Sequence, residues 1–244
     1  MNTRKRLIFD IETSPNIVMA FQVGYQIDIP ATNILVERAI ICICYKFEGE
    51  KKVHHLTWDK KQCDKAMLQK FMKIMNEADE CVAHNGDNFD IKWLRTRCLY
   101  HKISAFPEYV SIDTKKEGKK YFLFNSNALD YISWYIGGQR KKKVDMDLWK
   151  AIAVNKSAKA MKEMVEYCKV DVLALEEIFL RFKPYTKAKT SIARIASHCP
   201  ECDSPNTQIA KHRPTASGTK RVQFQCQDCG KYHTISTKRY LKEK

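Results

Sequence analysis

Glycine and proline are scarce, at 8 and 7 of 244 residues, which excludes a collagen-like or low-complexity chain. Long apolar runs are missing as well. The longest candidate, 39–45, is bounded by charge and falls far short of the roughly 18 residues that a membrane-crossing helix needs, so no membrane association is expected. Behind the opening Met-Asn-Thr-Arg-Lys-Arg stand only Leu7, Ile8 and Phe9 before Asp10. That is too brief for the apolar core of a secretion signal, and secretion is not expected. Acidic residues are also in short supply, 28 against 43 Lys and Arg, leaving a net charge of +15 that suits a polyanionic partner. Hydrophobic residues, at 44%, suffice for a core. Ten cysteines in a chain without a secretion signal point to reduced thiols or metal ligands rather than a disulfide framework.

The first 60 residues read as strands at 7–12, 39–47 and 52–58, rich in branched and aromatic side chains and suggesting an antiparallel meander. The pattern then alternates: a helix near 62–77, a strand at 80–84, a helix at 88–100, a strand at 109–113, then helices. Strands followed by strand-helix units imply a mixed sheet in an α/β fold. The clearest helix carries Met161, Met164, Val165, Cys168, Val172, Leu175, Phe179 and Phe182 at three- and four-residue steps and stops before Pro184. Beyond it the composition shifts, with 12 basic and 4 acidic residues in 184–244. The polar stretch 186–191 lacks large apolar residues. These features predict a first domain over 1–185, a linker over 186–197 and a small domain over 198–244.

Carboxylates recur at three separated places. Asp10 and Glu12 lie two apart on a predicted strand, so both project from one face while Phe9 and Ile11 face the other way. Such a pair needs solvent, a proton or a cation to offset its repulsion, and magnesium or manganese is the natural oxygen-bound cation; an ordinary exposed strand end remains open. Asp90 falls in the first turn of a predicted helix, where an acid is favoured in any case, and Asp87 is the better N-cap candidate. Tyr167 and Asp171 stack at a four-residue step, about 60° and 100° from the stripe centre at Cys168 for Asp171 and Tyr167 respectively. An acid at that margin wants a partner, although a solvated face is the alternative. The basic run at 140–143, after two glycines, reads as a loop able to touch phosphates or simply to be solvated.

Phe9-Asp-Ile-Glu-Thr13, Asn85-Gly-Asp-Asn-Phe-Asp90 and Tyr167-Cys-Lys-Val-Asp171, in that order, resemble the three motifs of ribonuclease-H-like 3′-5′ exonucleases of the DEDD type, tyrosine branch. The wording most resembles the exonuclease domain of family B DNA polymerases, over roughly 1–183. The resemblance implies a five-stranded mixed sheet flanked by helices, and two magnesium or manganese ions held by Asp10, Glu12, Asp90 and Asp171. It also implies that Tyr167 orients the attacking water and that Asn85 and Phe89 contact the 3′-terminal nucleotide. Phe89 is equally readable as a core residue. The expectation is a cytoplasmic exonuclease acting on single-stranded or frayed DNA 3′ ends, releasing nucleoside monophosphates in replication, repair or recombination. A ribonuclease, a structure-dependent nuclease and a non-catalytic nucleic-acid-binding protein stay open as alternatives.

Cys199-Pro-Glu-Cys202 and Cys226-Gln-Asp-Cys229 form two Cys-x2-Cys pairs 23 residues apart, suited to closing one tetrahedral zinc site in a ribbon. Residues 221–225 read as the strand that enters the second pair. A segment of this size has too little core to fold alone, so zinc would be structural. Lys211, Arg213, Lys220, Arg221, Lys231, Lys238 and Arg239, interleaved with Phe224, Tyr232 and Tyr240, suit nucleic acid. Docking on a replication or repair protein is the competing role. Cys42, Cys44, Cys63, Cys81, Cys98 and Cys168 fall mostly in apolar patterns and read as packing residues.

Overall fold

A computed structural model describes residues 4–104, 107–138 and 144–243; the basic run at 140–143 lies outside them. In chain order, β1 (Arg6–Thr13) is followed by the short pair β2 (Ile17–Val18) and β3 (Ile34–Val36), then by β4 (Ile40–Phe47) and β5 (His54–Thr57). Next come α1 (Lys65–Met75), β6 (Glu80–Ala83), α2 (Asp90–Tyr100), β7 (Val110–Asp113), α3 (Thr114–Tyr121), α4 (Leu129–Tyr135), α5 (Met146–Ala153) and α6 (Ala158–Phe182). The C-terminal part holds β8 (Thr207–Pro214), β9 (Lys220–Cys226), β10 (Tyr232–Ser236) and α7 (Thr237–Lys242). No helix among the described residues is long and apolar enough to cross a membrane.

Five strands form a mixed sheet in the order β5-β4-β1-β6-β7. The meander is antiparallel, whereas β6 and β7 join parallel to β1 and to each other. Central β1 must be covered on both sides, and its alternation divides the core accordingly. Leu7, Phe9 and Ile11 pack with Leu68, Phe71 and Leu94 of α1 and α2. Ile8 faces the opposite layer with Cys42, Cys44, Val165, Cys168 and Val172. Phe9 and Phe71 are fully buried with ring centroids 5.3 Å apart, and each such side chain contributes about 1.5–3 kcal/mol. Helix α6 begins with the Ser157 hydroxyl accepting from Ala160 N and ends where Pro184 disfavours a further helical residue.

Two helix starts differ from the sequence expectation, the first being α1, which begins at Lys65 rather than near 62. α2 begins at Asp90 rather than near 88, because Asn85 takes a left-handed conformation (φ 64°) and Gly86 folds against Ala83. An added Cβ at Gly86 would stand 2.4 Å from Ala83 Cβ, so this turn consumes residues that a helix would otherwise use. Asp87 is not its N-cap: its carboxylate accepts from Ser111 Oγ and Lys116 Nζ. Asp64, beside α1, likewise gives its carboxylate elsewhere, to Arg97, His101 and Ile40 N. Asp113 and Asp145 do cap α3 and α5.

The C-terminal part is a three-stranded antiparallel sheet in the order β10-β9-β8. The pattern around 221–225 foretold β9; β10 and α7 went unrecognised because 232–242 mixes polar and apolar residues without a clear period. Thr190, in the connecting segment, donates N–H and Oγ1 hydrogen bonds to Glu80 Oε1 at 3.2 and 2.6 Å.

Candidate active site

Asp10 and Glu12 stand near the C-terminal end of β1, paired in register with Cys44 and Cys42 of β4. Strand alternation turns all four toward α6, whose buried face brings Cys168 and Asp171 over them. One carboxylate oxygen from each of Asp10, Glu12 and Asp171 lies within 4.8 Å of the other two. Asp171 is buried and the other two are half-buried. Three acids this close suit a hard cation with oxygen ligands, whose charge removes their mutual repulsion.

Asp90 reaches the same strand from the opposite layer, since its Oδ1 accepts from Ile11 N at 3.2 Å, between the two β1 acids. It lies outside the close trio, being carried by α2 rather than α6. Burial raises its pKa to about 7; hydrogen bonds from its own and Ile11 backbone N–H groups oppose this, and the Asp113 charge adds to it. Tyr167 is half-buried and packs at the edge of the α6 layer. Asn85 N donates to Asp113 Oδ1 at 3.0 Å, which ties the second-motif turn to the end of β7. Phe89 is half-buried and packs against the α1–α2 core cluster, so part of its ring serves that core.

Two features near these acids are not legible in the sequence as parts of the site. Cys42, Cys44 and Cys168 form a buried thiol triad with sulfurs within 4.8 Å of one another, and Cys168 Sγ stands 3.6 Å from Asp10 Oδ2. Burial pushes the Cys168 thiol well above its usual range. The period of the strand and helix located these cysteines in the core, but only the packing of α6 on β4 shows that they back the carboxylates. Arg38 also converges here: its Nη2 donates to Thr13 Oγ1 at 2.7 Å, its Nε to Ser14 O, and its guanidinium lies over the Trp93 ring at 4.9 Å.

A second donor set sits in the C-terminal sheet. Cys199, Cys202, Cys226 and Cys229 form one cluster, with sulfur separations of 3.5, 3.6 and 3.7 Å for 199–229, 202–229 and 202–226. Four sulfurs at about 2.3 Å from one ion form a tetrahedron with edges near 3.8 Å, so this set could hold zinc. Glu201 N donates to Cys199 Sγ at 3.4 Å, and Gly230 takes φ 74° to turn the chain after the second pair.

The same loop fastens the small sheet to the larger body. Glu201, between Cys199 and Cys202, is buried against Arg4, Arg6, Lys183 and Lys231. Burial opposes its ionisation, but the Arg6 hydrogen bond and charge, with Lys231 and Arg4, hold its pKa down at about 2. Arg6 also pairs with Glu80 and Glu48.

A five-stranded mixed sheet with acids on its central strand and on a covering helix defines an α/β domain with a convergent carboxylate site. The profile described as the RNase_H superfamily matches residues 7–182, and the chain belongs to that superfamily. A DNA polymerase of Thermococcus hydrothermalis is 32% identical over 104 residues, covering 38% of this chain and 5% of the polymerase. The family B DNA polymerase of Pyrobaculum calidifontis shares the fold with a TM-score of 0.58 at 12% identity, covering 75% of this chain and 25% of that one. The chain therefore spans only a small part of the length of the polymerases it matches.

Proposed function

We propose that this protein is a divalent-metal-dependent 3′-5′ exonuclease acting on DNA with single-stranded or frayed 3′ ends and releasing nucleoside monophosphates. The observation that carries the reading is the convergence of Asp10, Glu12 and Asp171 oxygens within 4.8 Å, with Asp90 hydrogen-bonded to the backbone between the first two. The likeness to DNA polymerases supports DNA as the substrate. Asp10, Glu12, Asp90 and Asp171 would hold two magnesium or manganese ions. Bound there, the ions would lower the pKa of an attacking water and stabilise a leaving 3′ oxygen. Tyr167 orients that water from its place one turn before Asp171. Asn85, held by the turn at Gly86, and the exposed part of Phe89 receive the terminal nucleotide.

In this reading Cys199, Cys202, Cys226 and Cys229 hold one structural zinc, making 198–244 a zinc ribbon joined through 186–197 to a catalytic domain over 1–185. The ribbon's basic surface holds substrate, and replication, repair or recombination is the setting such an activity serves.

Incubation with 5′-labelled single-stranded DNA and magnesium should give a ladder shortened from the 3′ end. Asp10→Ala should slow it more than about a hundredfold, the scale of losing one preorganised electrostatic stabiliser. A ladder unchanged by Asp10→Ala would sink the proposal. Faster loss of matched RNA would indicate a ribonuclease, internal cuts in branched DNA a structure-dependent nuclease, and binding without cleavage a non-catalytic protein.

A further inference from the structure

Asp10, Glu12 and Asp171 line neither of two hollows, of about 1020 and 890 Å³, among the described residues. The hollow of about 890 Å³ runs between the C-terminal sheet and the segment that follows α6, lined on one side by Tyr185, Lys187 and Lys189 and on the other by Arg213, Arg221 and Tyr232. None of the described lining residues is acidic. Lys187, Arg213 and Arg221 are exposed, while Lys189 Nζ lies 2.8 Å from Glu117 Oε1 and has part of its charge offset.

The pairing of the strands makes this charge specific. Arg213 of β8 stands directly opposite Arg221 of β9 in the antiparallel register, an arrangement that costs stability because like charges meet across the ladder. The face they share continues through Gln223 and Gln225, while Val222, Phe224 and Cys226 turn inward. An anion laid along this face would relieve the repulsion. Two tyrosines flank it: Tyr185 is 67% exposed, its ring in a T-shaped contact with Phe122 at 5.5 Å between centroids, and Tyr232 is 46% exposed. Phosphate-seeking cations alternating with exposed aromatic side chains suit a chain in which negative charge and flat rings alternate, and only unpaired bases present their faces.

We propose that this groove binds a single strand of nucleic acid, with Arg213, Arg221 and Lys187 on the phosphates and Tyr185 and Tyr232 stacked on bases. The proposal rests on the nuclease reading in taking nucleic acid as the ligand, but its binding test is read without cleavage. Along α6, Pro184 lies about 20 Å beyond Asp171 at 1.5 Å per residue. A strand whose end lies at the acids would reach the groove only with nucleotides several steps upstream of that end.

The test is fluorescence anisotropy of the full chain with labelled 15-mer oligothymidylate, without added divalent cation and without chelator, so that bound zinc is retained. Arg213→Gln/Arg221→Gln should weaken binding at least tenfold and reduce the slope of log affinity against log salt by about 1.4, the value for two phosphate contacts on a single strand. Tyr185→Ala and Tyr232→Ala should each weaken it about fivefold or more, the low end for one stacked base. Unchanged far-UV dichroism and zinc content certify that the variants fold. Affinity untouched by the double arginine variant would overturn the proposal. Equal affinity for a 15-base-pair duplex would overturn the single-strand assignment, and displacement by polyglutamate at matched charge would overturn nucleic acid in favour of an acidic protein. Loss of groove-dependent binding with metal-dependent cleavage intact defeats the groove alone; groove-dependent binding without any cleavage defeats the nuclease reading alone.

Discussion

Asp64 is fully buried, and four donors converge on it: Arg97 Nε and Nη2 at 2.7 and 2.9 Å, Ile40 N at 3.0 Å and the His101 ring at 2.5 Å. Burial works against its ionisation, but the Arg97 hydrogen bond, the Ile40 amide, His101 and the Arg97 charge together depress its pKa below the ordinary 3.8. A depressed carboxyl contributes stability that is fully present above its unfolded pKa and lost as pH falls through the folded value. Asp64→Asn, which leaves the buried Arg97 guanidinium without its counter-charge, should therefore destabilise the fold by about 3 kcal/mol at pH 7. The difference from wild type should shrink in urea titrations carried below pH 4, and a constant difference across pH would show that the carboxylate charge is not what matters. Asp64 falls inside the stretch that the sequence marks as a helix, and Asp87 suggests a cap; local pattern cannot reveal that distant Arg97 and Ser111 claim these carboxylates. Asp10 and Glu12 were legible because a two-residue period is a local property of one strand.

At the scale of elements, legibility followed periodicity. β1, β4 and α6 carry long regular patterns and lie close to where the sequence places them, whereas β10 and α7 are short, polar and held by neighbours instead of by their own preference. The cysteine pairs are legible for a different reason, since metal-ligand spacing is itself a short-range signature. Their sulfur cluster leads to a quantitative expectation. The purified chain should release one equivalent of zinc on treatment with a thiol-modifying reagent, and Cys202→Ser should carry less than about a tenth of that, because three thiolates without the fourth bind zinc far more weakly. Limited proteolysis of Cys202→Ser should remove the C-terminal 60 or so residues, which bury too little to persist unaided, and leave the sheet around β1 intact. A wild-type chain without zinc, equally resistant to protease, would mean that the small sheet stands on packing alone.

For the whole molecule, the net charge of +15 conceals a division of labour. Basic residues dominate the C-terminal part and its groove, the Glu201 cluster joins that part to the larger body through buried cations, and the three convergent acids form a negative centre within a positive protein. Such a centre is unfavourable until cations occupy it, and sites of this kind commonly sacrifice stability for activity. Neutralising one acid should therefore help the metal-free protein. Asp171→Asn keeps the shape of the side chain while removing a buried charge and its repulsion with Asp10 and Glu12. In divalent-free buffer without chelator it should stabilise the fold by about 1 kcal/mol, which in a chain of this size raises the melting temperature by about 2–4 °C. Magnesium should raise the wild-type midpoint by mass action on the folded state and leave Asp171→Asn nearly unmoved, so that the two melting curves approach or cross as magnesium is added. A variant that melts earlier in metal-free buffer, yet responds to magnesium as fully as wild type, would show that these carboxylates do not form a metal site.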